Sequence, residues 1–527
     1  MLAVASAVAQ AQVPPQSLDP LLLERQQRDN QRRSDERERL LAPPRRAIEE
    51  PVRPAIPPTP STARFVLKAV DFGPSVFITP EELQALAAPY IDTEVDFGVI
   101  NGLVDKVNAL YAARGQAFSR AFLPPQRVDA GRIRINLVEA RADVVEYEGL
   151  KYINKSWADR LIATEPGEVL DALRLDRTID RYQRATDARF AIDVEPGKQT
   201  GTSTLKVNVV EPNRVRLRAS LSNEGNDNTG REQATADVSL FSPLGLGDRI
   251  GLSAVTSQGL KSLNASFSTP LSPWGARLVY GLAAGRTHII NGPFAINDIR
   301  GESRSWNVQL AQPLYDNRPW SVESFVSYGS SHSNTSITGV DLGTSRLQQY
   351  AVGLQVSRRD DVNEWVALAD WVPYRATAAL GAVSQSSKLE WNASYVRRFE
   401  GVGAFLARAN GQHTHGSNPL AGAGQLSWGG AGLLRAYPAG SLLGDSGYGI
   451  SLEWHAALTK DIGWSVFSER GVVWGSRPRQ SLTDVGAGLE WRASDTTSVN
   501  VMVAHGLNEG TITGAKNRIY VKFAAEF

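Results

Sequence analysis

The chain of 527 residues has no cysteine, which removes a disulfide framework and any thiolate metal site and agrees with a periplasmic or outer-membrane location. It also lacks any run of about 18 apolar residues, so no transmembrane helix is readable. A chain of this kind that crosses a membrane must do so as a closed barrel. Neither sign of charge prevails: Lys+Arg number 56 and Asp+Glu 55, which gives no electrostatic case for nucleic acid as a partner. Histidine is scarce, with 6 in all. His413 and His415 stand close together but lack further ligands at metal-binding spacing, and solvated loop histidines are the plainer reading. The glycines between Gly422 and Gly432 follow no strand-to-helix transition, so a phosphate loop is unsupported. No cofactor is expected.

What is present changes along the chain, and at this length two to four units are expected. Residues 1–11 are small and apolar, with Ala9-Gln10-Ala11 at a cleavage-like spacing, and read as the remnant of an export signal. Residues 12–61 hold a helix and a linker. Asp19 is a plausible N-cap, Pro20 takes the first helical position and Pro43-Pro44 stops the run near Ala42. From Glu24 to Arg39 the helix is almost wholly Arg, Gln, Glu and Asp, so it has no apolar face for an ordinary core. A solvated helix or disorder is the plain alternative, while a helix reaching about 35 Å also suits a water-filled pore. The proline-rich stretch 43–61 then reads as a semi-rigid linker.

Residues 62–140 read strand, helix, helix, strand, strand. Arg64–Phe72 is apolar and extended, Thr79-Pro80-Glu81-Glu82 forms a capping box, and Asp96 caps a second helix closed by Gly115. Residues 141–212 repeat that order without visible sequence identity. From Asn213 helical periodicity ends and alternation begins, and all of the 12 tryptophans except Trp157 lie beyond this point. In Gln349–Ser357 the residues Tyr350, Val352, Leu354 and Val356 share one face, and the other face is small or polar. Sixteen such segments fit between 214 and 527, an even number. Short connections such as Ser242–Gly247 and Phe399–Gly401 largely alternate with long ones, namely His288–Glu302, Ser330–Ser345, 412–447 and Gly506–Lys516. Trp274, Trp320, Trp365 and Trp464 lie beside short turns, as an interfacial girdle would. The fold expected is an all-β transmembrane barrel of sixteen antiparallel strands over 213–527, with a soluble sandwich as the alternative that loop lengths disfavour.

The longest connection, 412–447, carries Leu434-Arg435-Ala436-Tyr437 and then Gly444-Asp445-Ser446-Gly447. The second run has the look of a serine-protease nucleophile loop, but no histidine and aspartate are placed to complete a triad. Both runs resemble the lid-loop motif of two-partner secretion transporters, the haemolysin secretion/activation family of the outer-membrane assembly-factor superfamily, with Leu434 in place of valine and Ala436 in place of glycine. The family's strand motif, Phe-x-Asp-x-Gly, is matched by Phe467, Glu469 and Gly471.

That resemblance implies a plug helix in the pore, two polypeptide-transport-associated (POTRA) α+β domains in the periplasm and a barrel in the bacterial outer membrane. It implies an arginine, Arg435, that enters the lumen and pairs with an acidic residue. Alternation lets only one of Glu469 and Arg470 face inward, so Glu469 is the first partner candidate and Glu453 and Glu490 are reserves. Phe527, on the apolar face of the last strand, matches an assembly signal for outer-membrane barrels. The function implied is export of a large, unfolded, haemolysin- or adhesin-like partner protein, with no enzyme activity. Outer-membrane lipid and, during biogenesis, the barrel-assembly machinery are the further partners. A barrel-assembly factor and a passive solute channel are the alternative functions.

Overall fold

The computed structural model describes residues 20–41, 64–198, 202–317, 319–378, 383–415, 420, 422–476, 478–508 and 517–527. The export signal, Asp19, Pro43-Pro44 and the linker lie outside the described residues. The described chain separates into two compact units, one running to Pro212 and including Gly245–Gly247, the other formed by the remaining residues from Asn213 onward together with the N-terminal helix.

In the first unit, residues 64–139 form β1 (Arg64–Val66), β2 (Ala69–Phe72), α2 (Pro80–Ala87), β3 (Glu94–Asp96), α3 (Phe97–Ala113), β4 (Ser119–Phe122) and β5 (Arg132–Glu139), α1 being the helix of the other unit. The expected single strand Arg64–Phe72 is broken at Leu67-Lys68. Its first half pairs with β3 and its second half runs parallel to β5, because Leu67 turns fully into the core while the backbone passes from one sheet to the other. Thr79 and Glu82 cap α2 reciprocally, and Asp96 accepts from Val99 at the start of α3. Ile100, Leu103 and Val107 then share the buried face with Ile133 and Ile135, as helical spacing dictates. The three-stranded sheet has the order β2-β5-β4.

Residues 141–210 repeat the order: β6 (Arg141–Glu148), α4 (Lys155–Ile162), α5 (Ala172–Ala185), β7 (Arg189–Pro196) and β8 (Thr202–Val210), in a sheet ordered β6-β8-β7. Both sheets leave their first strand at an edge.

The second unit is a closed barrel. Its strands are β9 (Val215–Ser222), β10 (Gln233–Phe241), β11 (Arg249–Ser257), β12 (Leu260–Pro270), β13 (Arg277–His288), β14 (Ile299–Asn317), β15 (Trp320–Ile337), β16 (Val340–Arg359), β17 (Asn363–Thr377), β18 (Val383–Phe399) and β19 (Gly403–His415). They continue with β22 (Ser446–Ala457), β23 (Ile462–Trp474), β24 (Gln480–Arg492), β25 (Thr497–Gly506) and β26 (Asn517–Glu526). Each pairs antiparallel with its neighbour and β26 closes on β9, which gives the expected sixteen. Two short strands, β20 (Leu426–Trp428) and β21 (Leu442–Gly444), pair with each other and, among the described residues, join no other sheet. Along β16 the outward Tyr350, Val352 and Leu354 are 58%, 55% and 49% exposed, a band that only lipid can cover.

One expected long connection is not a loop. β15 and β16 run on to Ile337 and Val340 and are joined by Thr338-Gly339 alone, at φ +51° and +78°. Positive φ at both central positions is the turn whose twist matches a hairpin. Residues 330–336 and 341–345 are rich in Ser, Thr and Asn and have no apolar face, so the membrane-strand signal fades there while the ladder continues.

Helix α1 (Pro20–Leu41) lies in the barrel lumen. Arg28 donates to Ser305 at 3.0 Å, Gln27 to Gln233 at 2.9 Å, Arg25 pairs with Glu390 at 3.3 Å, and Glu24 accepts from Ser303. Its length of about 33 Å is anchored at each end by leucine. Leu21 packs with Leu347 and Tyr374 near the long loops, and Leu40 packs with Val396 and Leu406 near the short turns. A polar middle with apolar ends suits a hydrated tube.

Candidate functional site

Residues 426–444 fold as a hairpin of β20 and β21 whose tip enters the lumen. Asp445 fixes its base: one carboxylate oxygen accepts from Leu420 N and Gln425 Nε2, both at 3.0 Å, and the other from Ser476 N at 2.8 Å. Gly444 and Gly447 are required for close approach. A Cβ at Gly447 would stand 2.3 Å from the Val472 carbonyl oxygen, and one at Gly444 would stand 2.7 Å from Val473 Cβ. At the neck Gly429, at φ +118°, would bring a Cβ to 2.0 Å from Pro438 O.

The tip, Leu433–Tyr437, sits against five consecutive strands. Arg435 is 1% exposed. Its Nη2 lies 2.5 Å from Glu453 Oε1 on β22 and 3.3 Å from Glu469 Oε1 on β23. The guanidinium stacks 4.1 Å from the Phe467 ring centroid and touches Met502 Sδ on β25 at 3.5 Å. The backbone is held as firmly. Arg435 N donates to Glu469 at 3.1 Å, Ala436 N to Asp484 on β24 at 2.7 Å, and Tyr520 Oη on β26 donates to Arg435 O at 2.9 Å. The Tyr437 hydroxyl lies 2.7 Å from the Asn508 carbonyl oxygen and 3.0 Å from that of Thr483 and shares its one proton between them. Leu434 takes φ +59°, a conformation costly for a valine there.

Glycines on the wall make the seats. A Cβ at Gly449 would meet Leu433 at 2.2 Å, one at Gly471 Leu434 at 2.8 Å, and one at Gly506 the Tyr437 hydroxyl at 2.7 Å. The sequence motif therefore has a steric reason at Gly471: the loop's leucine occupies the volume a side chain would fill.

The structure thus brings together Arg435, Glu453, Glu469, Phe467 and Gly471, with Leu434, Ala436 and Tyr437. Arg470 faces outward and is exposed. Glu490 is not a partner and that reserve reading is corrected. It shares the inward parity of Asp484, but it stands opposite Gly463 at the short-turn end, about 20 Å along β24 from Asp484 at ~3.3 Å per residue, and it is exposed to water. Phe527 is 66% exposed and exchanges backbone hydrogen bonds with Leu217 beside the closing seam.

Sequence reasoning missed four participants. Arg408 on β19 pairs with Glu453 at 2.7 Å, and His455 lies 3.0 Å from its other oxygen. Ser451 Oγ bridges Glu453 and Glu469 at 3.1 and 3.0 Å. Asp484 stands directly opposite Glu469. Inward acids at matched heights on adjacent strands were a readable signal for it.

A closed barrel whose lumen holds a polar helix and an inserted loop, preceded by α+β modules, is a plugged outer-membrane transporter. The model of the haemolysin secretion/activation protein ShlB/FhaC/HecB family matches residues 201–493, and the chain belongs to that family. The ShlB-type POTRA domain model matches residues 65–140. Among similar proteins, the outer membrane transporter CdiB of Dickeya dadantii is 24% identical over 398 residues, covering 71% of this chain and 69% of that one. The heme/hemopexin transporter protein HuxB of Haemophilus influenzae is 20% identical over 489 residues, 85% of each chain. The structure of CdiB from Escherichia coli superposes with a TM-score of 0.73 at 19% identity, over 98% of this chain and 100% of that one. BamA from Haemophilus ducreyi lacking POTRA domains 1–3 reaches 0.53 at 12% identity, over 88% and 100%. The chain is an outer-membrane protein with its POTRA region in the periplasm.

Proposed function

We propose that the barrel exports a large, unfolded partner protein to the cell surface or medium, and that α1 and the lid hairpin close the path between clients. The observation that carries this reading is how the lumen is closed. The middle of the plug is held through side-chain hydrogen bonds and ion pairs to the wall and not through an apolar core. Such contacts exchange for water at little net cost, so a polar helix can leave a hydrated tube. Leu21, Leu23 and Leu40 supply the apolar contacts at its ends. The loop tip is fixed differently, by a buried charge cluster, and so stays as a rigid wall element unless Arg435 is released.

Residues 141–212 act as a second POTRA domain in this reading, following the first at 62–140. The edge strands β2, β4, β6 and β7 offer unpaired backbone to an extended client, which would bind by adding a strand. Phe527 serves recognition by the barrel-assembly machinery. No catalytic step is assigned to any residue, and folding of the client outside supplies the drive. A passive solute channel would leave a filled lumen without purpose.

The test is a reversible lock. A Cβ at Gly301 would lie 2.5 Å from Pro20 Cβ, so the pair Pro20→Cys and Gly301→Cys, in a chain free of other thiols, reaches disulfide range after a shift of about 1 Å. Oxidised cells should accumulate the client in the periplasm and resume export on addition of dithiothreitol. Full export with the disulfide formed would show that the helix need not leave.

A further inference from the structure

The outer wall carries a cationic cluster that export does not use. The register sets Arg304 on β14 opposite His332 on β15 and His332 opposite Arg346 on β16. Arg346 stands opposite Thr377 on β17, and Arg375 is the next position on the same face, opposite Gln348. Side chains directly opposite on one face have Cβ atoms about 4.5–5.5 Å apart. This face is the outer one. The alternate residues point inward: Ser303 reaches Glu24 of the plug, and Leu347 and Ala376 pack with Leu21. Arg304, Arg346 and Arg375 are exposed, and among the described residues no carboxylate pairs with any of them. Glu302, the acid beside them, is held by Arg286 at 3.0 Å, and the charged group that bears on His332 is Arg346.

The height of the cluster is informative. Directly below it Trp306, Tyr328 and Tyr350 form a chain of outward rings with centroids 5.2 and 4.6 Å apart. At the short-turn end Trp320 and Trp365 pair at 5.0 Å. From Trp320 to Tyr328 a strand tilted by about 40° climbs roughly 20 Å, close to the ~25 Å apolar band of such barrels. His332 stands about 10 Å higher. That is the polar headgroup zone of the outer leaflet.

His332 separates Arg304 from Arg346 and Thr377 stands opposite Arg346, so three guanidinium groups gather on one outward face, and among the described residues no carboxylate neutralises them. We propose that this face binds lipopolysaccharide, the three guanidinium groups gripping its phosphates and the apolar band below receiving its acyl chains. Guanidinium groups pair with phosphate oxygens in a bidentate fork, and His332 at the centre adds a hydrogen-bond donor. This rests on the outer-membrane location and not on export of a client, so its failure would leave the transport reading standing.

Purified, delipidated full-length protein in detergent would be titrated with lipopolysaccharide carrying both lipid A phosphates, and with the same glycolipid stripped of them, read by native mass spectrometry. One cation near an anionic surface is worth about fivefold. Arg346→Gln should therefore weaken binding about fivefold, and Arg304→Gln with Arg346→Gln and Arg375→Gln roughly a hundredfold. The phosphate-free glycolipid should bind every form equally weakly. Arg358→Gln, beside Trp320 at the opposite girdle, should change nothing. Heat-modifiable migration in gels checks that each variant is folded, and the single variant serves if the triple one is not. Binding by the folded triple variant within threefold of the parent, an equal loss in Arg358→Gln, or tight binding of the phosphate-free glycolipid would each overturn the proposal.

Discussion

Arg435→Ala tests the loop cluster most sharply, because the structure says which neighbour suffers. Glu453 keeps Arg408 at 2.7 Å and His455 at 3.0 Å after the change. Among the described residues Glu469 has no other cation in its ion pairs. It is left, 1% exposed, with the Ser451 hydroxyl, the Arg435 backbone N–H and the carboxylate of Asp484 directly opposite. Removing one member of a buried pair costs about 3–5 kcal/mol, chiefly through the charge left behind. Against that loss stand the backbone anchors at Glu469, Asp484 and Tyr520 and the Tyr437 hydroxyl, about 1 kcal/mol each. The tip should therefore loosen without leaving, and the sixteen-strand ladder should hold. Export should be crippled while heat-modifiable migration still reports an inserted barrel. In a denaturant titration of the purified protein, adding Glu469→Gln to Arg435→Ala should restore at least half of the lost stability. Adding Glu453→Gln should restore little, because it strips Arg408 of its partner. Equal rescue by the two, or normal export by Arg435→Ala, would refute the assignment.

Three further outcomes follow from other parts of the molecule. Gly429→Ala places a methyl against Pro438 O at a positive φ, so the lid hairpin should become sensitive to protease while the barrel band is unchanged in gels. Leu40→Ala removes the apolar contact with Val396 and Leu406 at a site that is 0% exposed, at a cost of about 2–5 kcal/mol. The plug should then leave more often and single-channel conductance in planar bilayers should rise. In the first α+β module, hydrogen bonds from Thr79 N and then Arg114 hold Glu82 below its ordinary carboxylate range. A depressed folded-state value gives stability that is present above the unfolded value near 4.5 and is lost as pH falls through the folded one. Amide exchange in α2 should accelerate below about pH 4, and Glu82→Gln should remove that dependence.

Much of this molecule was legible because two physical periods differ. Alternation marked every membrane strand, since lipid favours apolar residues at the outward positions within its band, and capping residues such as Thr79 and Asp96 marked helix starts. The signal failed where the solvent changes. Above the membrane 330–345 lost its apolar face and passed for a loop, although its ladder persists. The latch was half legible. Arg435 and Glu469 stand in a recognisable motif, and parity alone separated Glu469 from Arg470. Parity does not give height along a strand, so Glu490 and Glu453 looked equivalent, and only the register sets one beside Arg435 and the other near the periplasmic mouth. Arg408 went unseen because its importance lies in a contact across strands to Glu453, which no local pattern records, whereas Asp484 could have been found by matching inward acids on adjacent strands.

A dedicated exporter serves one client, whereas an assembly factor serves many barrels. The most direct measurement compares the culture supernatant and outer-membrane proteome of a strain lacking the gene with those of its parent. Loss of one large secreted protein, with other outer-membrane barrels at parental levels, is the expected result, and that protein is the client. A broad fall in many barrels, with no single secreted protein missing, would contradict it and make the chain an assembly factor.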